Sequence, residues 1–285
     1  GGRPRAASAP LAAGLPLAGN VWRLSRDAEG CRRVQRELAQ AQSDDARLDI
    51  VDELRGHVWE AIRCPHANYV VQQIITLMRA SSCTFIVDEI ADRGTGAVCA
   101  IARHTFGCRI LQRLLEHWPD HSARLVDDLM TEGLLLCRHT YGNYIVQHIL
   151  EYGTAEHQRA LVRGMRGHAL ALGFDPRAGG PLAKAVAHAA DEDRAALAQA
   201  LLREGKVLLA MACTRHGHVA VLKILQLCDE PERRAASIQL MAQSRRLQSC
   251  RYGRTVLHCL LGAGVPLSDG AAPPDAPRAA RPGAP

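Results

Sequence analysis

The chain has 285 residues, 47% apolar and only 4% aromatic, with ten cysteines and a formal net charge of +6. This is enough apolar content for a large core, and its Ala/Leu-rich character favours helices over sheets. No run approaches the roughly 18 apolar residues of a membrane-spanning helix, the scattered cysteines without a CxxC pair suit reduced buried thiols in a cytosolic or nuclear protein, and the mild basicity permits a polyanionic partner without requiring one. The first residue is Gly1 rather than Met, so the lack of a targeting signal carries no weight.

Residues 1–16 ("GGRPRAASAPLAAGLP") and 262–285 (ending "GAAPPDAPRAARPGAP") are rich in Gly, Ala and Pro and lack helical periodicity. They are expected to be disordered tails around an ordered region at 17–261. Inside this region a single pattern recurs. "EGCRRVQREL" (29–38), "HANYVVQQII" (66–75), "FGCRILQRLL" (106–115) and "YGNYIVQHIL" (141–150) superpose without gaps, and place glutamine at 35, 72, 112 and 147. The register continues more faintly in "AGGPLAKAVA" (178–187), "HGHVAVLKIL" (216–225) and "YGRTVLHCLL" (252–261), with Lys184, Leu222 and His258 at the glutamine position. The six steps are 37, 40, 35, 37, 38 and 36 residues. Seven units of similar length predict a helical solenoid, in which each unit buries its apolar face against its neighbours.

Each unit has room for three short helices. In the third these are expected at 94–104, from Phe106 to Trp118, and at 119–132, the last opened by Pro119 and Asp120. Ser43 and Thr154 have the position of N-caps for the equivalent third helices of units one and four. The turns "RHTFG" (103–107) and "RHTYG" (138–142) precede the second helix. Stacking would bury the Ile/Val/Leu arcs, such as Ile145, Val146, Ile149 and Leu150, and align the second helices on one concave face.

At about 100° per residue, Asn143, Tyr144, Gln147 and His148 fall on the arc opposite those apolar residues. In units one to four the polar positions alternate between two kinds: Cys31, Arg32 and Gln35; Asn68, Tyr69 and Gln72; Cys108, Arg109 and Gln112; Asn143, Tyr144 and Gln147. The first and third members are four residues apart on one helix face and together suit the edge of a planar group. The second is always a flat cation or an aromatic ring, which suits stacking. A glutamine amide offers both a donor and an acceptor, so one nucleobase per unit is the implied ligand.

These four sets resemble the Pumilio (PUF) family of RNA-binding repeats, over about 245 residues and most specifically over 94–170. The resemblance implies an all-α, right-handed α-solenoid of about seven three-helix repeats that binds single-stranded RNA, in mRNA 3′ untranslated regions, one base per repeat. It implies uracil reading by Asn and Tyr with Gln, adenine reading by Cys and Arg with Gln, and RNA running antiparallel to the chain. Units one to four would then read 5′-UAUA-3′. Gln35, Gln72, Gln112, Gln147, Asn68 and Asn143 would meet base edges, Cys31 and Cys108 would give apolar contact to adenine, and Arg32, Tyr69, Arg109 and Tyr144 would stack. It further implies a cytoplasmic monomer that controls translation or decay through recruited repressors or a deadenylase, with no cofactor.

The later units depart from the family pattern of eight reading repeats with a guanine reader near the C-terminal end. Unit five has Gly180, Pro181 and Lys184, unit six His218, Val219 and Leu222, and unit seven Arg254, Thr255 and His258, resembling a terminal capping repeat. Lys184 and Arg254 are read first as solvated cations and second as phosphate contacts. Two alternatives stand beside this reading: a nuclear, nucleolar factor that grips structured RNA in ribosome biogenesis, and, from the erosion of units five and six, a protein-binding scaffold that has lost RNA binding. An enzyme is not expected, because HExxH is absent, His104 and Cys108 span a turn already explained by the repeat, Gly94 and Gly96 lack a third glycine, and no phosphate loop precedes Lys206.

Overall fold

The computed structural model describes residues 14–262. Apart from residues 14–16 and 262, the two expected tails lie outside that range. All regular structure among the described residues is helical, and it divides into the seven units marked out by the sequence repeat. Unit one comprises α1 (Val21–Ser25), α2 (Ala28–Gln40) and α3 (Asp44–Asp52), and unit two α4 (Val58–Arg63), α5 (Ala67–Leu77) and α6 (Phe85–Ala91). Unit three comprises α7 (Thr95–Ala102), α8 (Gly107–His117) and α9 (Ala123–Met130), and unit four α10 (Gly133–Cys137), α11 (Gly142–Tyr152) and α12 (Ala155–Gly167). Unit five comprises α13 (Ala169–Gly173), α14 (Gly179–His188) and α15 (Asp191–Leu202), and unit six α16 (Gly205–Ala212), α17 (Gly217–Leu227) and α18 (Glu230–Met241). Unit seven has α19 (Ser244–Gln248) and α20 (Arg251–Leu260). In unit three, Pro119 leads first into a short 3₁₀ turn, Asp120–Ser122, before α9 begins.

The second helices α2, α5, α8, α11, α14, α17 and α20 pack in succession, each against the next. Their apolar arcs supply much of the continuous core: Ile74, Ile110, Leu114, Ile145, Val146, Leu182, Val221, Ile224 and Val256 are all fully buried. At roughly 1.5–3 kcal/mol for each large aliphatic side chain withdrawn from water, stacking rather than helix propensity holds helices of this length together.

Two local devices repeat. The first closes each early unit on itself. Glu53 at the end of α3 accepts hydrogen bonds from the Gly19 and Val21 amides at 2.6 and 2.8 Å. Glu89 in α6 does the same for Gly56 and Val58 at 2.6 and 3.0 Å. In unit three Asp128 accepts from the Thr95 hydroxyl at 2.8 Å. The two glutamates thus cover free N–H groups at the start of their own units' first helices, while Asp128 holds the first residue of α7 by its side chain. The chain reaches these first helices through Gly19, Gly56 and Gly94, at φ values of 76°, 79° and 81° that L side chains rarely adopt.

The second device is a small residue at the start of the second helix: Gly107, Gly142, Gly179, Gly217 and, in unit two, Ala67 at its first position, and Gly253 at the third position of α20. Here the helix start lies against neighbouring backbone. A β-carbon would come within 2.8 Å of the Ile101 carbonyl oxygen at Gly107, 2.6 Å of the Met211 oxygen at Gly217, and 2.6 Å of the Leu247 oxygen at Gly253.

Third helices start where side-chain acceptors are available. Ser43 accepts from the Ala46 amide at 3.2 Å and Thr154 from the His157 amide at 3.3 Å, the caps expected from sequence. Asp229 does the same for Glu232 at 2.8 Å.

Candidate nucleic-acid interface

The twelve residues singled out by the repeat lie on α2, α5, α8 and α11, toward the N-terminal end of each. Because these helices pack side by side, the structure brings the four sets into one row. The first members do not share the solvent-facing arc with the others, as the helical wheel suggested. Cys31, Asn68, Cys108 and Asn143 are buried, at 4%, 0%, 2% and 8% exposure, and form the floor of the row. The glutamines above them are half-buried, Tyr69 is 40% exposed, Arg32 is exposed, and Tyr144 and Arg109 are half-buried.

The reason for burial is local. The Asn68 amide donates to the Cys64 carbonyl at 2.7 Å, and the Asn143 amide to the carbonyls of His139 and Thr140 at 2.8 and 3.0 Å. Each asparagine oxygen then accepts from the glutamine one turn on, Gln72 at 2.9 Å and Gln147 at 3.1 Å. A buried amide needs such partners, and here they fix the pair's orientation, leaving the glutamine oxygen and its second N–H for a ligand.

In the alternate units a thiol replaces that amide. Cys31 donates to the His66 carbonyl of unit two at 3.1 Å, and Cys108 to Thr105 at 3.6 Å. Burial pushes both thiols up to about 11, so at neutral pH they present polarizable neutral sulfur rather than thiolate. The Arg109 Nε is buried without a hydrogen-bond partner. Units one and two are also tied along the row: Gln35 donates to the Tyr69 carbonyl at 3.4 Å, and Gln73 to the Gln35 carbonyl at 2.8 Å.

The sequence reading missed what holds the helix starts. His104 Nδ1 accepts from the Phe106 and Gly107 amides, both at 3.3 Å, and His139 Nδ1 from Tyr141 and Gly142, both at 3.2 Å. Desolvation by burial, aided by Arg63 at His104 and by Arg103 and Arg177 at His139, holds both imidazoles below their ordinary value and keeps them neutral acceptors. The Asp27 carboxylate takes the same place in unit one and the Thr214 hydroxyl in unit six. The common signal is an acceptor three residues before a glycine in the first turn of the second helix: Gly30, Gly107, Gly142 and Gly217.

Beyond unit four the row changes. A β-carbon on Gly180 would stand 2.6 Å from the Gln147 amide nitrogen, so the unit-four glutamine lies directly over unit five's first position. Pro181 is buried in the first turn of α14, and Lys184 pairs with Glu151 at 2.5 Å. In unit six Leu222 is 5% exposed and Val219 half-buried, while His218 bonds the Thr214 carbonyl at 3.2 Å and stacks on Tyr252 at 5.0 Å between ring centres. In unit seven Arg254 donates to the Gln248 carbonyl at 3.1 Å, Thr255 is half-buried and His258 is exposed. Among the described residues no three His, Cys, Asp or Glu side chains gather as a metal site would require.

A Pumilio-family RNA binding repeat is matched at residues 63–91, 97–130 and 134–164. Over 100 residues the chain is 32% identical to putative pumilio homolog 7, chloroplastic, of Arabidopsis thaliana, covering 35% of this chain and 15% of that one. Over 116 residues it is 29% identical to Pumilio homolog 1 of Xenopus laevis, covering 41% and 9%. The matched segment is thus a small fraction of either relative. Among solved structures, PUF-8 in complex with PBE-RNA superposes with a TM-score of 0.73 at 19% identity, covering 87% of this chain and 72% of that one. The Puf3 RNA binding domain bound to a Cox17 RNA 3′ UTR recognition sequence gives 0.71 at 18%, covering 85% and 74%. Those likenesses establish a shared fold, an α-solenoid, along nearly the whole described chain. Residues 63–164 thus carry three matched Pumilio-family RNA binding repeats, set within a repeat spacing and helix triplets that run through the described chain.

Proposed function

We propose that the row formed by α2, α5, α8 and α11 binds single-stranded RNA, one base per unit, with 5′-UAUA-3′ as the preferred core. The observation that carries this reading is the paired geometry at units two and four. Asn68 with Gln72 and Asn143 with Gln147 form the same oriented amide pair beside a tyrosine, and the units beside them substitute a neutral thiol and a guanidinium. The matched repeats and the RNA-bound structures of the same fold support the ligand class. Uracil falls to units two and four and adenine to units one and three. With stacking worth roughly 1–3 kcal/mol per base, four bases give weak to moderate affinity. In this reading the protein acts on mRNA 3′ untranslated regions in the cytoplasm, and recruited repressors or a deadenylase carry out the regulation.

The test is fluorescence anisotropy with a labelled 12-nucleotide RNA containing 5′-UAUA-3′ against a scrambled control at physiological salt. Preference of about tenfold, the discrimination typical of one or two good base contacts, supports the reading. Equal binding of both RNAs removes the base assignments, and binding of neither favours the scaffold alternative. The exposed apolar residues Leu135, Leu170 and Phe174 on the first-helix side of units four and five give that second reading a surface.

A further inference from the structure

A second surface, outside the base-reading row, joins aromatic rings and uncommitted guanidinium groups across the first three units. Trp22 of α1 stacks on His57 at 4.6 Å between ring centres with 7° between the planes, and Arg26 sits over the same indole at 5.5 Å. Two residues along, Trp59 of α4 has Arg63 over its ring at 4.1 Å and Arg93, from the turn into unit three, at 5.1 Å. Arg26, Arg63 and Arg93 are all exposed.

What distinguishes these cations is how they are held. Arg63 is followed at the corresponding turns by Arg103 and Arg138, which are neutralised by Glu132 and by Asp175 at 3.0 Å. Arg26, Arg63 and Arg93 have indole faces in place of carboxylates. Stacking fixes the plane of a guanidinium but leaves its N–H edge unused, and that edge matches two oxygens of a phosphate. Of the nearby acids, Glu53 and Glu89 are occupied with backbone amides, Asp27 caps α2, and Asp92 stands 4.0 Å from Arg124; Glu60 is exposed on α4. Three oriented positive edges on a semi-rigid aromatic strip suit a flexible polyanion. The strip also borders the row in the chain, because Arg63 ends α4 four residues before Ala67 opens α5.

We infer that the strip from Arg26 to Arg93 binds the phosphodiester backbone of RNA nucleotides flanking the read bases, without regard to their sequence. The inference rests on the RNA-binding reading for its ligand but not on the base assignments. It makes contact length, rather than base identity, the quantity the strip controls.

The test compares the full chain with Arg26→Ala/Arg63→Ala/Arg93→Ala on three labelled RNAs: a short UAUA-containing core, the core with ten uridines added at its 5′ end, and the core with ten added at its 3′ end. In the wild type one of the two extensions is expected to tighten binding at least fivefold. The triple variant should lose that gain, keep its affinity for the short core, and show a salt slope on the extended RNA shallower by about 2, at roughly 0.7 per lost phosphate contact on a single strand. A variant with lysine at the three positions, which keeps charge without the planar fork, should fall between. The inference is overturned if neither extension helps the wild type, if the gain survives in the triple variant, or if short and extended RNAs weaken equally. A scrambled core keeps the test independent of the base code: the extension gain should persist there even if UAUA is not preferred. Binding of a poly-glutamate peptide that depends on the three arginines, with no extension gain for RNA, would assign the strip to an acidic protein instead.

Discussion

Units three and four on one side and units five and six on the other share a scaffold and differ in what stands on it. In both pairs the second helix begins with a glycine pressed against neighbouring backbone or side chains, and its aliphatic arc packs into the same core. On the open side, Cys108 with Gln112 and Asn143 with Gln147 give way to Gly180 with Lys184 and His218 with Leu222. Stacking demands only the residues that face the neighbouring helices, so the open positions are free to be lost unit by unit while the solenoid persists.

The largest expected effect tests the shared scaffold. At Gly217 a β-carbon meets the fixed Met211 backbone at 2.6 Å from its oxygen, whereas at Gly142 it meets first the Leu136 side chain at 2.8 Å, which can turn aside. Gly217→Ala should therefore cost about 2–3 kcal/mol and lower Tm by roughly 5–10 °C. Gly142→Ala should cost about half as much. Thermal melts of the two variants check this, and a larger loss at Gly142 would break the equivalence of the two regions.

The next largest concerns the reading positions. Replacing Asn143 with Ser and Gln147 with Glu should move the preference at one base from uracil to guanine by about tenfold, or ~1.4 kcal/mol. Competition with RNAs varied at that position measures it, and an unchanged preference removes unit four from the code. A smaller effect lies at the border. Gly180→Ala places a methyl against the Gln147 amide, so uracil preference at unit four should weaken several-fold while stability stays within about 0.5 kcal/mol. No change in preference would mean that unit five has no influence on the row.

The smallest effect depends on pH. His139 titrates below its ordinary value of 6.5 in the fold because burial favours the neutral ring. As pH falls below 6.5 the unfolded chain takes up a proton that the folded chain resists, and the stability held above that value is lost as pH approaches the folded value. His139→Asn keeps an acceptor without the titration. The stability of the wild type relative to the variant should therefore be lower at pH 5 than at pH 7.5. Denaturant melts at the two pH values read it, and parallel curves would show that the cap does not titrate.

The fold was legible because its cause is periodic. Seven copies of one aliphatic pattern announce seven buried helices, and Ser43 and Thr154 cap because their neighbours in sequence are enough to define a helix start. The floor position was not legible. A helical wheel places Asn143 beside Tyr144 and Gln147, but its burial depends on the carbonyls of His139 and Thr140, which face it only once the preceding turn has formed. Arg26, Arg63 and Arg93 were equally silent, since only the folded chain sets them over Trp22 and Trp59.

The carboxylates of Glu53 and Glu89, each fastening the end of a unit to that unit's own beginning, say where this chain can be recombined. Cuts just before residues 19 and 56 leave every such clasp intact, so whole modules delimited there can be duplicated, deleted or traded between proteins as closed pieces. A cut between a first and a second helix opens the clasp and separates the small opening residue from the carbonyl it rests on. The lineage of such arrays, and any attempt to lengthen this one, should therefore count in whole modules.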